Sequence, residues 1–479
     1  MKQPEYQPTR TYKVSRNDYV RGQLEAIDKI LEWAHSSIKV KDDLAFTLSG
    51  FAGTGKTTIA KDIVKNLRGS IAVTAPTHKA VRIASNTIGV EGSTIQKLLG
   101  LRPNTDLESF DVNNPQFDPI GNVYIKNYKY ILIDECSMIN SALFDTLMAE
   151  AYQYKVKLLF IGDPYQLPPV AEHYSRTFSI KHRYNLTEIV RQASDNPLVT
   201  LLDIARDSVI NKSDRIVQVI DKRKSMYNDR TEQGYVIAKD QHYAELLNDK
   251  FTSAEFERNI DFVRYLAFTN EAVLATNQYV RRLLFGNTSQ ILIQDDLLTS
   301  YSTPIDEFNS PIIVNSEDYI IHEIADYNNK YLIKGYLVRL RSVNGGQITN
   351  RLFILDHTIQ SNLERYITVY FSLLAKAKTA KNPATRRDAW DRFWQYKHYN
   401  LLMTDVVTQK KELVAKKAVD YGFGLTVHKS QGSTFDNAFI DANNIIYKKN
   451  GQPYYNTNLR NRLLYVALSR ARNTAFINY

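Results

Sequence analysis

The chain has 479 residues, 43% hydrophobic and 23% charged, an ordinary globular balance with apolar surface enough for two or three domains. Its 19 glycines and 14 prolines argue against collagen-like or low-complexity stretches, and a single cysteine, Cys136, excludes an intramolecular disulfide and a multi-cysteine zinc site. Lys and Arg number 61 against 51 Asp and Glu, and there are 31 tyrosines. That pairing fits a nucleic-acid partner, since cations meet phosphates while rings stack on bases.

No apolar run nears 18 residues, and the opening residues lack an apolar signal core, so a soluble, intracellular protein without a membrane span is expected. Residues 1–16 read as a polar arm with Pro4 and Pro8. Leu24, Ile27, Ile30, Leu31 and Ala34 then mark one helical face over residues 17–37. Continuous apolar runs follow at Leu44–Leu48, Ile71–Thr74, Tyr130–Ile133 and Leu158–Ile161, with helices expected after Lys56, Thr77 and Ile139. Apolar strands alternating with helices predict a parallel sheet covered on both faces. A second set of such units is expected at 262–268, 270–284, 438–440, 459–469 and 475–477. Between the sets, residues 311–356 read as strands with a hairpin at Asn344-Gly345-Gly346, and 358–417 as helical and basic. From Lys376 to Lys429 there are 12 Lys or Arg against 5 Asp or Glu, so much of the cationic excess is local.

The sequence Gly50-Phe51-Ala52-Gly53-Thr54-Gly55-Lys56-Thr57 matches the phosphate loop G-x-x-x-x-G-K-[ST], placed between a strand and a helix. Glycines let successive N–H groups turn inward around phosphates at a helix N-terminus. Gly50, Ala52, Gly53, Thr54, Gly55, Lys56, Thr57 and Thr58 are the candidate nucleotide contacts. Lys56 is expected to reach the terminal phosphates, and the Thr57 hydroxyl to hold Mg²⁺. Asp134 and Glu135 end an apolar strand, Asp134 as the Mg²⁺ ligand and Glu135 to orient or deprotonate water. Taken alone, such a strand-end pair is more often a helix cap with a solvated acid, but its place after the phosphate loop favours the catalytic reading.

Further motifs follow in order: Ala75-Pro-Thr-His-Lys-Ala80, Gly162-Asp-Pro-Tyr-Gln-Leu-Pro-Pro-Val170, Leu186-Thr-Glu-Ile-Val-Arg191, Thr426-Val-His-Lys-Ser-Gln-Gly432 and Tyr465-Val-Ala-Leu-Ser-Arg470. Their wording and order resemble superfamily 1 helicases, in particular the RecD-type 5′-to-3′ branch, superfamily 1B, and its phage Dda-type members. The resemblance covers about residues 20–170, 186–285 and 420–479.

It implies an α/β fold of two RecA-like parallel-sheet domains. The first, 1–185, carries a β-hairpin pin inserted at about 101–128. The second comprises 186–295 and 418–479, with a small β-barrel and helical tower inserted at 296–417. Gln23 then sits where the family's glutamine reads adenine, Gln166 at the γ-phosphate sensor, and Arg191 and Arg470 at the two arginines that meet the γ-phosphate. Val190 replaces the adenine-stacking aromatic frequent in helicases of opposite polarity. Pro76, Thr77, His78 and Lys79 on the first domain, and Thr426, His428, Lys429 and Ser430 on the second, match the strand-gripping motifs. Gln431 and Gly432 link the second grip to the nucleotide. Phe110 and Phe117 are candidates for the strand-separating pin.

Arg386, Arg387 and Arg392 among Trp390, Phe393, Trp394 and Tyr396 fit a DNA-facing surface, but the i, i+3, i+4 spacing of Trp390, Phe393 and Trp394 favours a core-facing stripe. The resemblance implies an ATP- and Mg²⁺-dependent motor acting as a monomer on single-stranded and forked duplex DNA. It would serve replication, recombination or repair in the cytoplasm of a phage host, beside a single-strand-binding protein or replisome components. Alternatives are an RNA helicase of the same superfamily and an ATPase that displaces bound proteins without unwinding.

Overall fold

The computed structural model describes residues 19–103, 117–119, 122–169, 172–188, 196–306 and 310–479. The chain divides into two compact units. One comprises Met1–Arg102, Pro119–Val273 and Leu425–Tyr479, and the other Pro103–Asp118 and Leu274–Gly424.

The first unit contains two six-stranded sheets. In the first sheet the order is Gly92–Thr94, Ile71–Ala75, Tyr130–Ile133, Lys157–Gly162, Ala45–Gly50 and His182–Leu186, every pair parallel. The four central strands are the apolar runs expected from sequence, because a strand covered on both faces has no solvent side to make polar. Their helices are Lys56–Asn66, His78–Ile88 and Ser141–Tyr154, the last two capped by Thr77 and Asn140 side chains that accept from Ala80 and Leu143 N–H. Register carries Gly50 opposite Leu186, and Thr74 opposite Ile133. The residues that follow Gly50, Ala75, Ile133 and Gly162 therefore leave from one edge of the sheet, the carboxyl ends where open α/β sheets bind ligands.

The second sheet runs Gly424–Thr426, Val263–Ala267, Phe435–Asp441, Ala471–Asn478, Gln233–Ala238 and Met226–Asn228. Val263–Ala267, Phe435–Asp441, Ala471–Asn478 and Gln233–Ala238 pair in parallel, and Met226–Asn228 is an antiparallel edge. Leu198, Leu201, Leu202 and Ala205 of the helix Pro197–Ile210 pack in one core with Leu463, Leu464 and Leu468 of the helix Thr457–Ser469. The fold is thus α/β with two RecA-like parallel sheets.

The second unit holds a mainly antiparallel sheet ordered Asn400–Leu401, Leu352–Leu355, Lys334–Ser342, Asp318–Asn328, Leu297–Ser300 and Val419–Tyr421. The expected turn at 344–346 is present, closed by Gly346 N–H on the Ser342 carbonyl with Gly346 at φ +64°. The helices Gln360–Thr379 and Pro383–Tyr399 form an antiparallel pair. Helix ends at Tyr399. The rest of the stretch read as helical forms short strands, Val406–Val407 against Leu413–Ala415. This unit reaches beyond 296–417. Asn277, fully buried, donates to the Tyr421 carbonyl and accepts from Gly424 N–H, and Arg281 pairs two-pronged with buried Asp296 at 2.8 and 3.0 Å. Leu101–Pro103 pairs with Phe117–Pro119, so the backbone of Phe117 lies in a strand, whereas Phe110 is outside the described residues. Among the described residues no helix is long and apolar enough to cross a membrane.

Candidate nucleotide and nucleic-acid site

The phosphate loop leaves Ala45–Gly50 and enters Lys56–Asn66 through two left-handed glycines, Gly53 at φ +84° and Gly55 at φ +77°. The φ of Gly55 calls for glycine, and a Cβ there would lie 2.6 Å from Gln23 Nε2 and push that side chain aside. Gln23 is buried and its amide is used at both ends. Nε2 donates to the Thr54 carbonyl at 2.9 Å and Oε1 accepts Val20 N–H at 3.2 Å. It is thereby tied directly to the loop. Lys56 Nζ donates to the Gly50 and Phe51 carbonyls at 2.9 and 2.8 Å, and Thr54 is buried with its hydroxyl on the Phe51 carbonyl. Ala52, Gly53 and Thr57 are partly exposed and Thr58 is exposed.

Asp134 and Glu135 follow the central strand Tyr130–Ile133. Thr57 Oγ1 donates to Asp134 Oδ2 at 3.4 Å, so the hydroxyl and carboxylate expected to share a cation already face each other. Among the described residues no cluster of three His, Cys, Asp or Glu exists, so a cation here would take its remaining ligands from phosphate and water. Glu135 stands at φ +51°, a backbone strain that non-glycine residues keep mainly where surrounding structure imposes it, often at functional sites. Burial raises the Asp134 carboxyl above its ordinary value. Burial and the neighbouring Asp134 charge push Glu135 above the usual carboxylate range, against the pull of Arg470 and Lys56. Cys136 is buried, with its thiol pushed up by burial, and behaves as a small core residue.

The second sheet supplies the facing side. Arg470 caps the helix Thr457–Ser469, is buried, and donates to the Ser433 carbonyl at 3.1 Å and Ser469 Oγ at 2.8 Å. Gly432, at φ +75°, sits so that an added Cβ would lie 4.0 Å from Glu135 Oε1 and 3.6 Å from Ala80 Cβ. Four buried side-chain amide atoms have no hydrogen-bond partner among the described residues, and two of them are Gln166 Oε1 and Gln431 Nε2. Such orphans are costly without a ligand to meet them, and both glutamines stand in the motifs expected to sense nucleotide. The donor set therefore fits a nucleoside triphosphate with a hard divalent cation. Arg191 is outside the described residues.

The candidate strand-gripping residues divide by exposure. Pro76, Thr77 and His78 are partly exposed at the start of the helix His78–Ile88, and burial with nearby Lys97 lowers the His78 pKa. Lys79 is buried, its ammonium 5.8 Å from the Phe435 ring centroid. On the second sheet His428 is exposed, with its ring 6.0 Å from Phe268, and Thr426 and Lys429 are partly exposed. Ser430 is fully buried and donates to the Val427 carbonyl at 2.8 Å.

Several residues at this site were not singled out from sequence. Asp163 and Tyr465 lie inside quoted motifs, and Arg206, Arg462 and Phe51 join them in contacts between residues far apart in the chain. An arginine and a tyrosine at i and i+3 on the last helix, Arg462 and Tyr465, were the only local signal.

The AAA domain family matches residues 21–221, and the UvrD-like helicase C-terminal domain family matches 421–477. The ATP-dependent DNA helicase dda of Enterobacteria phage T4 is 27% identical, covering 96% of this chain and 99% of its own length. The ATP-dependent RecD2 DNA helicase of Deinococcus radiodurans is 32% identical over 32% of this chain and 20% of its own. A solved structure of the Bacteroides Pif1 helicase with ADP-AlF3 and ssDNA is 18% identical with a TM-score of 0.46, covering 94% of this chain and 91% of that one.

Proposed function

We propose that this chain, an ATP-dependent DNA helicase belonging to the Dda- and Pif1-like group of superfamily 1B, moves 5′ to 3′ along single-stranded DNA and parts the duplex ahead of it. The observation that carries the reading is the meeting of Thr57, Asp134 and Glu135 from the first sheet with Gly432 and the charge of Arg470 from the second.

In this reading the loop N–H groups and Lys56 hold the phosphates, and Gln23 fixes the loop and the adenine side. Thr57 and Asp134 hold Mg²⁺, which when bound supplies positive charge against the phosphate oxygens. Glu135 accepts the proton of the attacking water, and its raised proton affinity suits a base. Arg470, with Arg191, faces the charge that develops as the terminal phosphoryl leaves, and the orphaned Gln166 and Gln431 amides meet the nucleotide. Pro76, Thr77 and His78 grip the DNA backbone from one sheet, and Thr426, His428 and Lys429 from the other. Closure on ATP and release after hydrolysis then move one grip relative to the other. Residues about 101–128 form the strand-separating pin. The likeness to the phage T4 helicase supports a role in phage DNA replication, recombination or repair inside a bacterial host.

The test is ATP hydrolysis with single-stranded DNA or RNA, together with unwinding of tailed duplexes. Stimulation by DNA and unwinding from a 5′ tail are expected. Stimulation by RNA alone, or DNA-stimulated hydrolysis without strand separation, contradicts the reading.

A further inference from the structure

The helix Thr457–Ser469 brings Arg470 to the site, and two more of its side chains reach loops of the first sheet. Arg462 Nη1 donates to the Pro164 carbonyl at 2.7 Å and also to the Gln166 carbonyl. One turn further, on the same face, Tyr465 donates its hydroxyl proton to Asp163 Oδ2 at 2.7 Å. The same phenol oxygen accepts the backbone N–H of Ala52, inside the phosphate loop, at 3.1 Å. Tyr465 and Asp163 are both buried, and the second Asp163 oxygen accepts Tyr165 N–H at 2.9 Å. The loop is held from another side too. The Arg206 guanidinium, on the helix Pro197–Ile210, lies 4.0 Å from the Phe51 ring centroid, and Tyr165 packs 5.5 Å away.

Packing alone does not ask for this hydroxyl, because phenylalanine fills nearly the same volume. The phenol uses its one donor and one acceptor on two different loops of the other sheet. The Ala52 N–H carries a single proton, and N–H groups of this loop are the ones that cradle phosphates. A phosphate oxygen that takes this N–H displaces the phenol from it, while the bond to Asp163 can remain.

We propose that Tyr465 is a positioning residue through which the second sheet senses nucleotide on the phosphate loop. Phosphate at the Ala52 N–H frees one of its two contacts and lets the last helix, with Arg470, shift relative to the first sheet. The proposal rests on the reading that ATP occupies the phosphate loop. It goes beyond that reading by naming the link between nucleotide and the second DNA grip.

The test is linkage and needs no turnover: the Kd for single-stranded DNA with and without a non-hydrolysable ATP analogue. For the unaltered protein the two values are expected to differ by at least about fivefold. Tyr465→Phe lacks the Ala52 contact with or without nucleotide and is expected to bring them within about twofold, the nucleotide-free Kd moving to the value that the unaltered protein shows with the analogue. Asp163→Asn weakens the phenol's other contact and is expected to compress the ratio likewise, which keeps the test informative if one variant folds poorly. Tyr447→Phe removes a half-buried phenol on the second sheet's side that bonds to the Tyr479 hydroxyl, away from the phosphate loop, and is expected to leave the ratio unchanged. An unchanged ratio in Tyr465→Phe, or equal compression in Tyr447→Phe, overturns the proposal. Equal Kd values in an unaltered protein that does hydrolyse ATP with DNA also overturn it and leave the helicase reading standing. Absence of DNA-stimulated hydrolysis removes that reading itself.

Discussion

Two regions bury tyrosines and use them in opposite ways. In the helical pair of the second unit, Tyr366 and Tyr396 stack at 5.3 Å, Tyr370 meets Phe393 edge-on at 5.2 Å, and Trp390 and Trp394 cover the cluster. The Tyr396 hydroxyl goes to the Tyr366 carbonyl beside it, a bond kept within the cluster. The cations of the same helices, Arg386, Arg387 and Arg392, face solvent. At the phosphate loop, Tyr465 is as deeply buried, yet its hydroxyl joins two loops of another sheet, and Arg206 lies on Phe51. Burial raises the proton affinity of Tyr366, Tyr396 and Tyr465 alike. Partners, not burial or residue type, separate a packing tyrosine from one poised to act.

That contrast can be broken at either end. Lys56→Ala or Glu135→Gln is expected to lower DNA-stimulated ATP turnover by about 10²–10⁴-fold, with single-stranded-DNA affinity retained in a binding titration. Loss of DNA binding in both variants would place these residues in the fold instead. Phe393→Ala empties the centre of the aromatic cluster and is expected to cost about 3–5 kcal/mol in denaturant unfolding. A cost near zero would mean the cluster is not a core.

Acid probes the same cluster. The His398 ring stacks 5.7 Å from Trp394, and burial, with Lys397, pushes its pKa down to about 4. Its folded value lies below its unfolded one, so stability is complete above about pH 6.5 and falls as pH drops towards about 4, by up to about 3 kcal/mol. His398→Phe is expected to flatten that part of the pH–stability curve. The smallest effect is expected from Arg386→Ala and Arg387→Ala, within about 0.5 kcal/mol of stability. If these arginines meet DNA, each variant also lowers the salt dependence of binding by roughly one counterion.

The central strands of the first sheet were legible because two-sided burial leaves no polar position in Tyr130–Ile133 or Lys157–Gly162 beyond the entering lysine. Its edge strand, His182–Leu186, was not. One side meets solvent, so its burial alternates and no apolar run announces it. Gln233–Ala238 was passed over as well, a short strand opening on Gln-Gly. The phosphate loop, Asp134 and Glu135 stood out because their chemistry needs fixed residues at fixed spacing. The directions of Lys79 and Ser430 did not, since a motif names a residue and not where its side chain turns. The Tyr465 link was hidden for another reason: Ala52 lies 413 residues away and Asp163 lies 302.

The central claim is a DNA motor with a direction, tested most directly by unwinding of two otherwise identical duplexes, one with a 5′ single-stranded tail and one with a 3′ tail. The account predicts ATP-dependent strand separation from the 5′-tailed substrate only, absent in Glu135→Gln. Equal unwinding from the 3′ tail, or separation that persists in Glu135→Gln, would contradict it.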